Sequence, residues 1–302
     1  MNKVAFVGMG ALGLMYGEVV HLNGKNTALE YVMDSKRAEK YKETVYTINE
    51  KQYKFKLTAT ENATPADLLI VSVKYTGLEA ALDVMKNSIG PDTVVMSVMN
   101  GISSEEIIKE RYPDAHVIYC IGQGMDCMKL GNTISYTKMG ELHIGCKKES
   151  DREYVSKVAD FFDEIQMPYV VEEDIIFRMW SKFMLNVGIN QTCMVYGIGY
   201  GAALEKGEAN RTLVAAFREV IACANAEGVP LGEAQINQYI DILKTLNPTS
   251  VPSMAQDRLN KNPSEVDMFA GTIIALGKKH NIYTPTNEFL YDRAKEIEKE
   301  YV

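Results

Sequence analysis

Lys182, Asn186 and Asn190 recur every four residues in the segment Trp180-Ser-Lys-Phe-Met-Leu-Asn-Val-Gly-Ile-Asn190. On a helix, that spacing stacks the three side chains along one face, each about a turn above the last. Their neighbours are Trp180, Phe183, Met184, Leu185, Val187 and Ile189, so the helix is expected to be largely buried. An ammonium and two carboxamides on a buried face must be paired or must face a cavity. Together they could bind a small polar anion and give it a proton. The plainer alternative is a lysine extending to solvent and two asparagines satisfied by backbone.

A second constellation lies near the start of the chain. Gly8-Met9-Gly10-Ala11-Leu12-Gly13 has the G-x-G-x-x-G spacing of a dinucleotide-binding turn. In such a turn the first glycine allows a tight bend and the second lets a pyrophosphate approach the backbone. The third permits close helix–strand packing, and the following helix offers N–H groups and a positive dipole to phosphates. The context fits. Val4–Val7 reads as a strand, and apolar residues from Leu12 to Leu22 recur at helical spacing until Asn23-Gly24. Ala28–Met33 reads as a second strand closing at Asp34.

The end of that second strand bears on cofactor choice. Asp34 could accept hydrogen bonds from an adenosine ribose and repel a 2′-phosphate, which favours NAD(H). Lys36 and Arg37 could instead hold a 2′-phosphate, which favours NADP(H). A third reading makes Asp34 the cap of a solvated helix. These residues leave the choice open.

Two further loops follow apolar strands, at Val73-Lys74-Tyr75-Thr76 and at Met99-Asn100-Gly101. In open α/β sheets ligands bind beyond the carboxyl ends of the strands. Lys74 could therefore bridge a phosphate or a substrate carboxylate, and Asn100 could reach the nicotinamide, its ribose or the substrate. A surface lysine and an ordinary Asn-Gly turn are the alternatives. Later in the chain, Ser253-Met-Ala-Gln-Asp257 precedes a turn. Ser264 with Asp267 fits a helix-start pattern, with Glu265 inside the first turn.

These loops need a scaffold, and the remaining pattern supplies one. Hairpins are expected from Tyr46–Ile48 with Tyr53–Thr58 around Asn49-Glu50-Lys51, and from Thr133–Met139 with Glu141–Ile144. Buried strands are expected at Asp67–Val73, Thr93–Val98 and His116–Cys120, with helices at 77–89, 105–111 and 153–164. From Ile175 onward only helical patterns recur, at 175–195, 207–227, 233–244, 264–280 and 286–300. The expectation is an α/β Rossmann-type domain over residues 1–172 and an all-α domain over 173–302. A cleft between two such domains is a natural ligand site.

Composition sets the outer bounds. A length of 302 residues suits two domains. The net charge of −8 argues against nucleic acid or an anionic membrane as partner. The five cysteines form no C-x-x-C pair and the four histidines are scattered, so no metal site is expected and reduced thiols in the cytoplasm are. No run approaches the roughly 18 apolar residues of a membrane span, and the opening run is too short for a signal peptide. The apolar helices of the second half could form a homodimer interface or pack within one chain.

Read together, these residues resemble the ketopantoate reductase (2-dehydropantoate 2-reductase) family. The resemblance rests on Gly8-Met-Gly-Ala-Leu-Gly13, Val73-Lys74, Asn100-Gly101 and Lys182-x3-Asn186-x3-Asn190. It also takes in Pro252-Ser253-Met-x-Gln-Asp257 with Glu265-x-Asp267, and it spans essentially the whole chain. It implies a Rossmann domain, an all-α domain resembling the C-terminal domain of 6-phosphogluconate dehydrogenase, and an active site in the cleft. The implied reaction is NADPH-dependent reduction of 2-dehydropantoate to (R)-pantoate, for pantothenate and coenzyme A synthesis. By the same resemblance Lys182 is the general acid, Asn186 and Asn190 hold substrate hydroxyl or carbonyl groups, and Ser253 binds the carboxylate. Glu265 orients Lys182 or the substrate, while Asn100 and Lys74 line the cofactor side.

Two positions depart from the family pattern: Asp34 stands where NADPH-using members have arginine, and Ser250 where asparagine is frequent. The implied alternative is an NADH-dependent D-2-hydroxyacid dehydrogenase, a 2-keto acid reductase of the same fold. A dinucleotide-binding sensor without catalysis is a third possibility.

Overall fold

The computed structural model describes residues 1–301. The chain divides into two compact units, Met1–Ile175 and Ile176–Val302.

The first unit is α/β. Its strands are β1 (Lys3–Val7), β2 (Ala28–Met33), β3 (Tyr46–Ile48), β4 (Lys51–Tyr53), β5 (Leu57–Ala59), β6 (Leu68–Val71), β7 (Val94–Ser97), β8 (His116–Gln123), β9 (Met128–Leu130), β10 (Thr133–Ser135), β11 (Glu141–Gly145) and β12 (Tyr169–Val171). Its helices are α1 (Ala11–Asn23), α2 (Ser35–Tyr41), α3 (Leu78–Met85), α4 (Ser104–Arg111) and α5 (Arg152–Glu164).

Eight strands form the main sheet in the order β12-β11-β8-β7-β6-β1-β2-β5. From β8 to β5 all pairings are parallel, whereas β11 runs antiparallel to β8. The chain moves from β1 to β2 on one side and returns to β6 on the other, so the order reverses beside β1. Ligands of such sheets bind beyond the carboxyl ends of the strands at that reversal. Strand alternation builds a core on each face: Val4 and Phe6 pack with Leu14, Met15 and Tyr16 of α1, and Ala5 and Val7 with Leu78, Leu82 and Met85 of α3.

Four short strands form a second sheet, β4-β3-β10-β9, joined by a parallel β3–β10 pairing. Two expected hairpins are corrected by this sheet. The partner of β3 is Lys51–Tyr53 rather than Tyr53–Thr58, because Asn49 and Glu50 both take positive φ (42° and 70°) and close a two-residue turn. The chain beyond it crosses to the main sheet, where Leu57 pairs with Tyr31. Thr133–Met139 and Glu141–Ile144 do not pair with each other either. Asp126 accepts the Thr137 and Lys138 amides (2.8 and 2.7 Å), pinching off residues 126–138 as an excursion. Glu141 then resumes pairing with β8 at Gln123.

The second unit is helical: α6 (Ile175–Tyr196, its first residue at the boundary), α7 (Tyr200–Leu204), α8 (Glu208–Ala226), α9 (Glu233–Lys244), α10 (Ser253–Leu259), α11 (Thr272–His280) and α12 (Pro285–Lys299). Long α6 buries Trp180, Phe183, Met184, Val187 and Ile189. It approaches α8 so closely that a β-carbon at Gly188 would lie 2.1 Å from the Phe217 ring. The helix expected over 264–280 is interrupted by a π-helical turn at Asp267–Gly271. The Ala270 amide donates to Gln191 Oε1 (3.1 Å) on α6, and a side chain entering the ladder in this way displaces the ordinary turn. The expected start at Ser264 and Asp267 is not formed: Ser264 bonds Glu298, and Asp267 accepts from Tyr291 and Lys295 (both 2.7 Å).

Candidate active site

In the first unit the glycine loop lies between β1 and α1 and is built against Ser72, just beyond β6. A β-carbon at Gly8, where φ is +114°, would lie 2.6 Å from the Ser72 carbonyl oxygen. One at Gly13 would lie 2.4 Å from Ser72 Oγ. Ser72 Oγ in turn donates to the Gly8 carbonyl at 2.9 Å. Gly8 and Gly13 are therefore required for packing. Gly10 is different, because its β-carbon would meet nothing closer than 3.5 Å. It caps α1 in an extended conformation, with no side chain capping the helix and no acidic residue in the first turn. Backbone N–H groups and open space at the second glycine are what a pyrophosphate requires. The loop fits a dinucleotide.

A support not visible from the motif lies beneath it. Tyr31 on β2 is fully buried and donates from its hydroxyl to the Gly13 carbonyl at 2.9 Å. Space for that hydroxyl comes from Gly17, where a β-carbon would stand 1.8 Å from it. Met9, Ala11 and Leu12 complete the loop and are partly exposed.

Asp34 follows β2 and caps α2, accepting the Arg37 amide at 2.9 Å, with the Arg37 guanidinium 3.5 Å from its other oxygen. The helix-cap reading is thus correct, and the half-buried carboxylate still stands at the carboxyl end of β2. Lys36 is exposed on the first turn of α2. Lys74 follows β6 as the cap of a short 3-10 turn, Tyr75–Gly77.

Asn100 follows β7 in a loop braced from below. Ser97 Oγ accepts the Met99 amide (3.3 Å) and lies 2.9 Å from Ser104 Oγ, which is 2.8 Å from the Glu105 carboxylate. Glu105 is fully buried, and burial pushes its carboxyl up to about 7 against hydrogen bonds from Ser104 and two backbone amides. The glycine loop, Asp34, Lys74 and Asn100 all lie beyond the carboxyl ends of β1, β2, β6 and β7.

In the second unit Lys182 and Asn186 are half-buried on α6 and Asn190 is buried, at 5% exposure. Asn190 Nδ2 donates to Asn186 Oδ1 at 3.3 Å. Asn190 Oδ1 accepts from Ser253 Oγ (3.1 Å) and from the Met254 amide (3.4 Å) at the start of α10. The structure therefore joins Asn186 and Asn190 of α6 to Ser253, more than sixty residues further along the chain, in one hydrogen-bonded row. Ser253 is exposed and so presents its hydroxyl. Ser250 is exposed in the preceding loop, its carbonyl accepting the Tyr200 amide.

Glu265 is half-buried immediately before the π turn, its carbonyl accepting the Met268 and Phe269 amides. That turn is anchored by buried Gln191, which bonds Ala270, the Val187 carbonyl (2.7 Å) and Asn287 (3.3 Å). Asn287 donates to Glu219 at 2.7 Å. Gln191 is absent from the candidate residues of the sequence pattern, although a glutamine inside an apolar helix is a signal.

The two halves of one family description match this chain: ketopantoate reductase PanE/ApbA over residues 4–149 and its C-terminal part over residues 174–298. The chain belongs to the ketopantoate reductase family. It is accordingly an oxidoreductase acting on a keto group with a nicotinamide dinucleotide cofactor. A 2-dehydropantoate 2-reductase of Streptococcus pyogenes serotype M1 is 26% identical over 286 residues, covering 93% of each chain. Solved structures with the same fold include D-mandelate dehydrogenase with NADH and anilino(oxo)acetate (TM-score 0.86, 22% identity, 99% of both chains). A dimeric ketopantoate reductase from Staphylococcus aureus shares it too (TM-score 0.79, 20% identity, 99% of this chain and 100% of that one). Among the described residues no helix is long and apolar enough to cross a membrane.

Proposed function

We propose that this enzyme is a 2-dehydropantoate 2-reductase, converting ketopantoate to (R)-pantoate in pantothenate synthesis. The observation that carries the reading is the hydrogen-bonded row Asn186–Asn190–Ser253, which continues the α6 face bearing Lys182. The glycine loop Gly8–Gly13, with Asp34, Lys74 and Asn100, would hold the cofactor. A reduced nicotinamide dinucleotide supplies the hydride.

The chain's own task is the charge that reduction leaves on oxygen. A ketone receiving hydride becomes an alkoxide, so a group with an available proton must stand beside it. Lys182 Nζ takes that part, and Glu265 orients the lysine or the substrate. The Asn186 carboxamide, whose oxygen is taken by Asn190, offers its N–H groups to a substrate hydroxyl or carbonyl. Asn190 is committed to its neighbours and contributes mainly by presenting Asn186 and Ser253. For Ser253 to bind a carboxylate, its hydroxyl must turn from Asn190 to the ligand. A sensor without turnover has no use for such an arrangement. Acting on a small free acid, the enzyme is expected to work in the cytoplasm, and a homodimer is part of the same reading.

Asp34 favours one second reading, an NADH-dependent D-2-hydroxyacid dehydrogenase, because a carboxylate beyond β2 suits a ribose better than a 2′-phosphate. Both readings are tested by kcat/KM for ketopantoate, benzoylformate and branched 2-keto acids, each with NADPH and NADH. Ketopantoate is expected to be the best substrate. Turnover of ketopantoate no faster than of the other acids would sink the proposal.

A further inference from the structure

The second sheet lies over the glycine loop. Cys127 Sγ is 3.5 Å from the Ala11 carbonyl, and the Tyr46 hydroxyl is 3.7 Å from Met9 Sδ. The closest contact is Lys129, the central residue of β9, whose Nζ donates to the Met9 carbonyl at 2.7 Å. Met128 and Leu130 are 57% and 86% exposed, and Lys129 between them, itself exposed, turns its ammonium to the glycine loop. Its ammonium also lies 5.8 Å from the centre of the Tyr46 ring. Among the described residues no carboxylate pairs with it. A carbonyl and a ring face leave its charge uncompensated.

We propose that Lys129 is a phosphate-binding residue for the nicotinamide dinucleotide, supplied by the second sheet to a loop whose own contribution is backbone N–H groups. The assignment rests on the glycine loop as the cofactor's seat. It adds a full positive charge beside N–H dipoles, and a lysine serves a phosphate as a point charge with three donors. Two phosphate sources share this chemistry, the pyrophosphate common to both cofactors and the 2′-phosphate of NADPH alone. Hydrogen bonds to charged groups are the stronger class, but Lys129 is exposed and already bonded to Met9, so its loss should raise Kd only about tenfold.

The test is direct binding of NADH and NADPH to the full chain, followed by nucleotide fluorescence, for wild type, K129Q and K129R. K129Q is expected to raise Kd about tenfold and K129R to restore it. Equal losses for the two nucleotides identify the pyrophosphate, and a loss confined to NADPH identifies the 2′-phosphate. The dependence of Kd on NaCl should be shallower in K129Q, which a merely structural bond to Met9 would not produce. Unchanged Kd values and salt dependence in a folded K129Q would overturn the assignment. No keto acid enters this measurement, so dinucleotide binding without ketopantoate reduction would sink the proposed substrate and leave Lys129 standing.

Discussion

Replacing Glu105 by glutamine should change how stability depends on pH. The carboxyl is raised by burial from 4.5 to about 7 in the folded chain, so folded and unfolded states differ in bound protons between those values. The folded state holds more, and stability must fall as pH rises through that interval. The contribution is full below about 4.5, declines toward 7 and is gone above it. At 1.36 kcal/mol per pH unit, the interval caps the loss at about 3 kcal/mol. Glutamine keeps the size and the oxygen facing Ser104 and cannot ionise, so E105Q should lack the decline. The assay is urea denaturation followed by far-UV circular dichroism at pH 5, 6, 7 and 8, comparing variant with wild type. Near pH 5 the two should be similar, and by pH 8 the variant should be the more stable. Taking the difference between variant and wild type cancels the groups that the two proteins share. A variant-minus-wild-type difference that stays flat from pH 5 to 8 would refute the account, as would a variant that weakens faster than wild type.

Other substitutions test other joints of the structure. K182A should lower kcat by orders of magnitude while the Kd for NADH, read by fluorescence, stays at the wild-type value. N190A strands the Met254 amide and frees Ser253, costing about 1–3 kcal/mol of stability; kcat/KM should fall more than in S253A, compared by initial rates. G17A drives a methyl into the Tyr31 hydroxyl and should lower the melting temperature, with partial recovery in G17A/Y31F because the colliding oxygen is removed. D34N keeps the helix cap and removes the charge, so the NADPH/NADH ratio of kcat/KM should rise about fivefold, from roughly 1 kcal/mol of relieved repulsion.

What the sequence made legible follows from where each signal resides. The β1–loop–α1–β2 unit could be read because its glycines, strand period and helix period are local and agree with one another. The α6 face could be read because polar residues at four-residue spacing stand out in an apolar helix. Nothing local announces that Asn190 reaches Ser253, since that bond depends on how α10 returns to α6. The short strand β9 was invisible: three residues, all exposed, carry no period to detect. The same brevity hid α7 and α10. The π turn was illegible for another reason, because its cause is the Gln191 side chain on a different helix. The two hairpins differ from expectation because neighbours in sequence are not neighbours in space there: two positive-φ residues and one aspartate redirect the chain.

The second sheet also has a kinetic consequence. Its halves, β3–β4 and β9–β10, lie some eighty residues apart and meet through the two-residue register of β3 and β10. Pairings of such long range form late, and short exposed strands open first in the native state. Amides of β9 and β10 should therefore exchange with deuterium well before those of β1, β6 and β7. A cofactor gripped by Lys129 would slow exchange there by mass action. Occupancy of a loop at residue 10 would thus be recorded in backbone near residue 130.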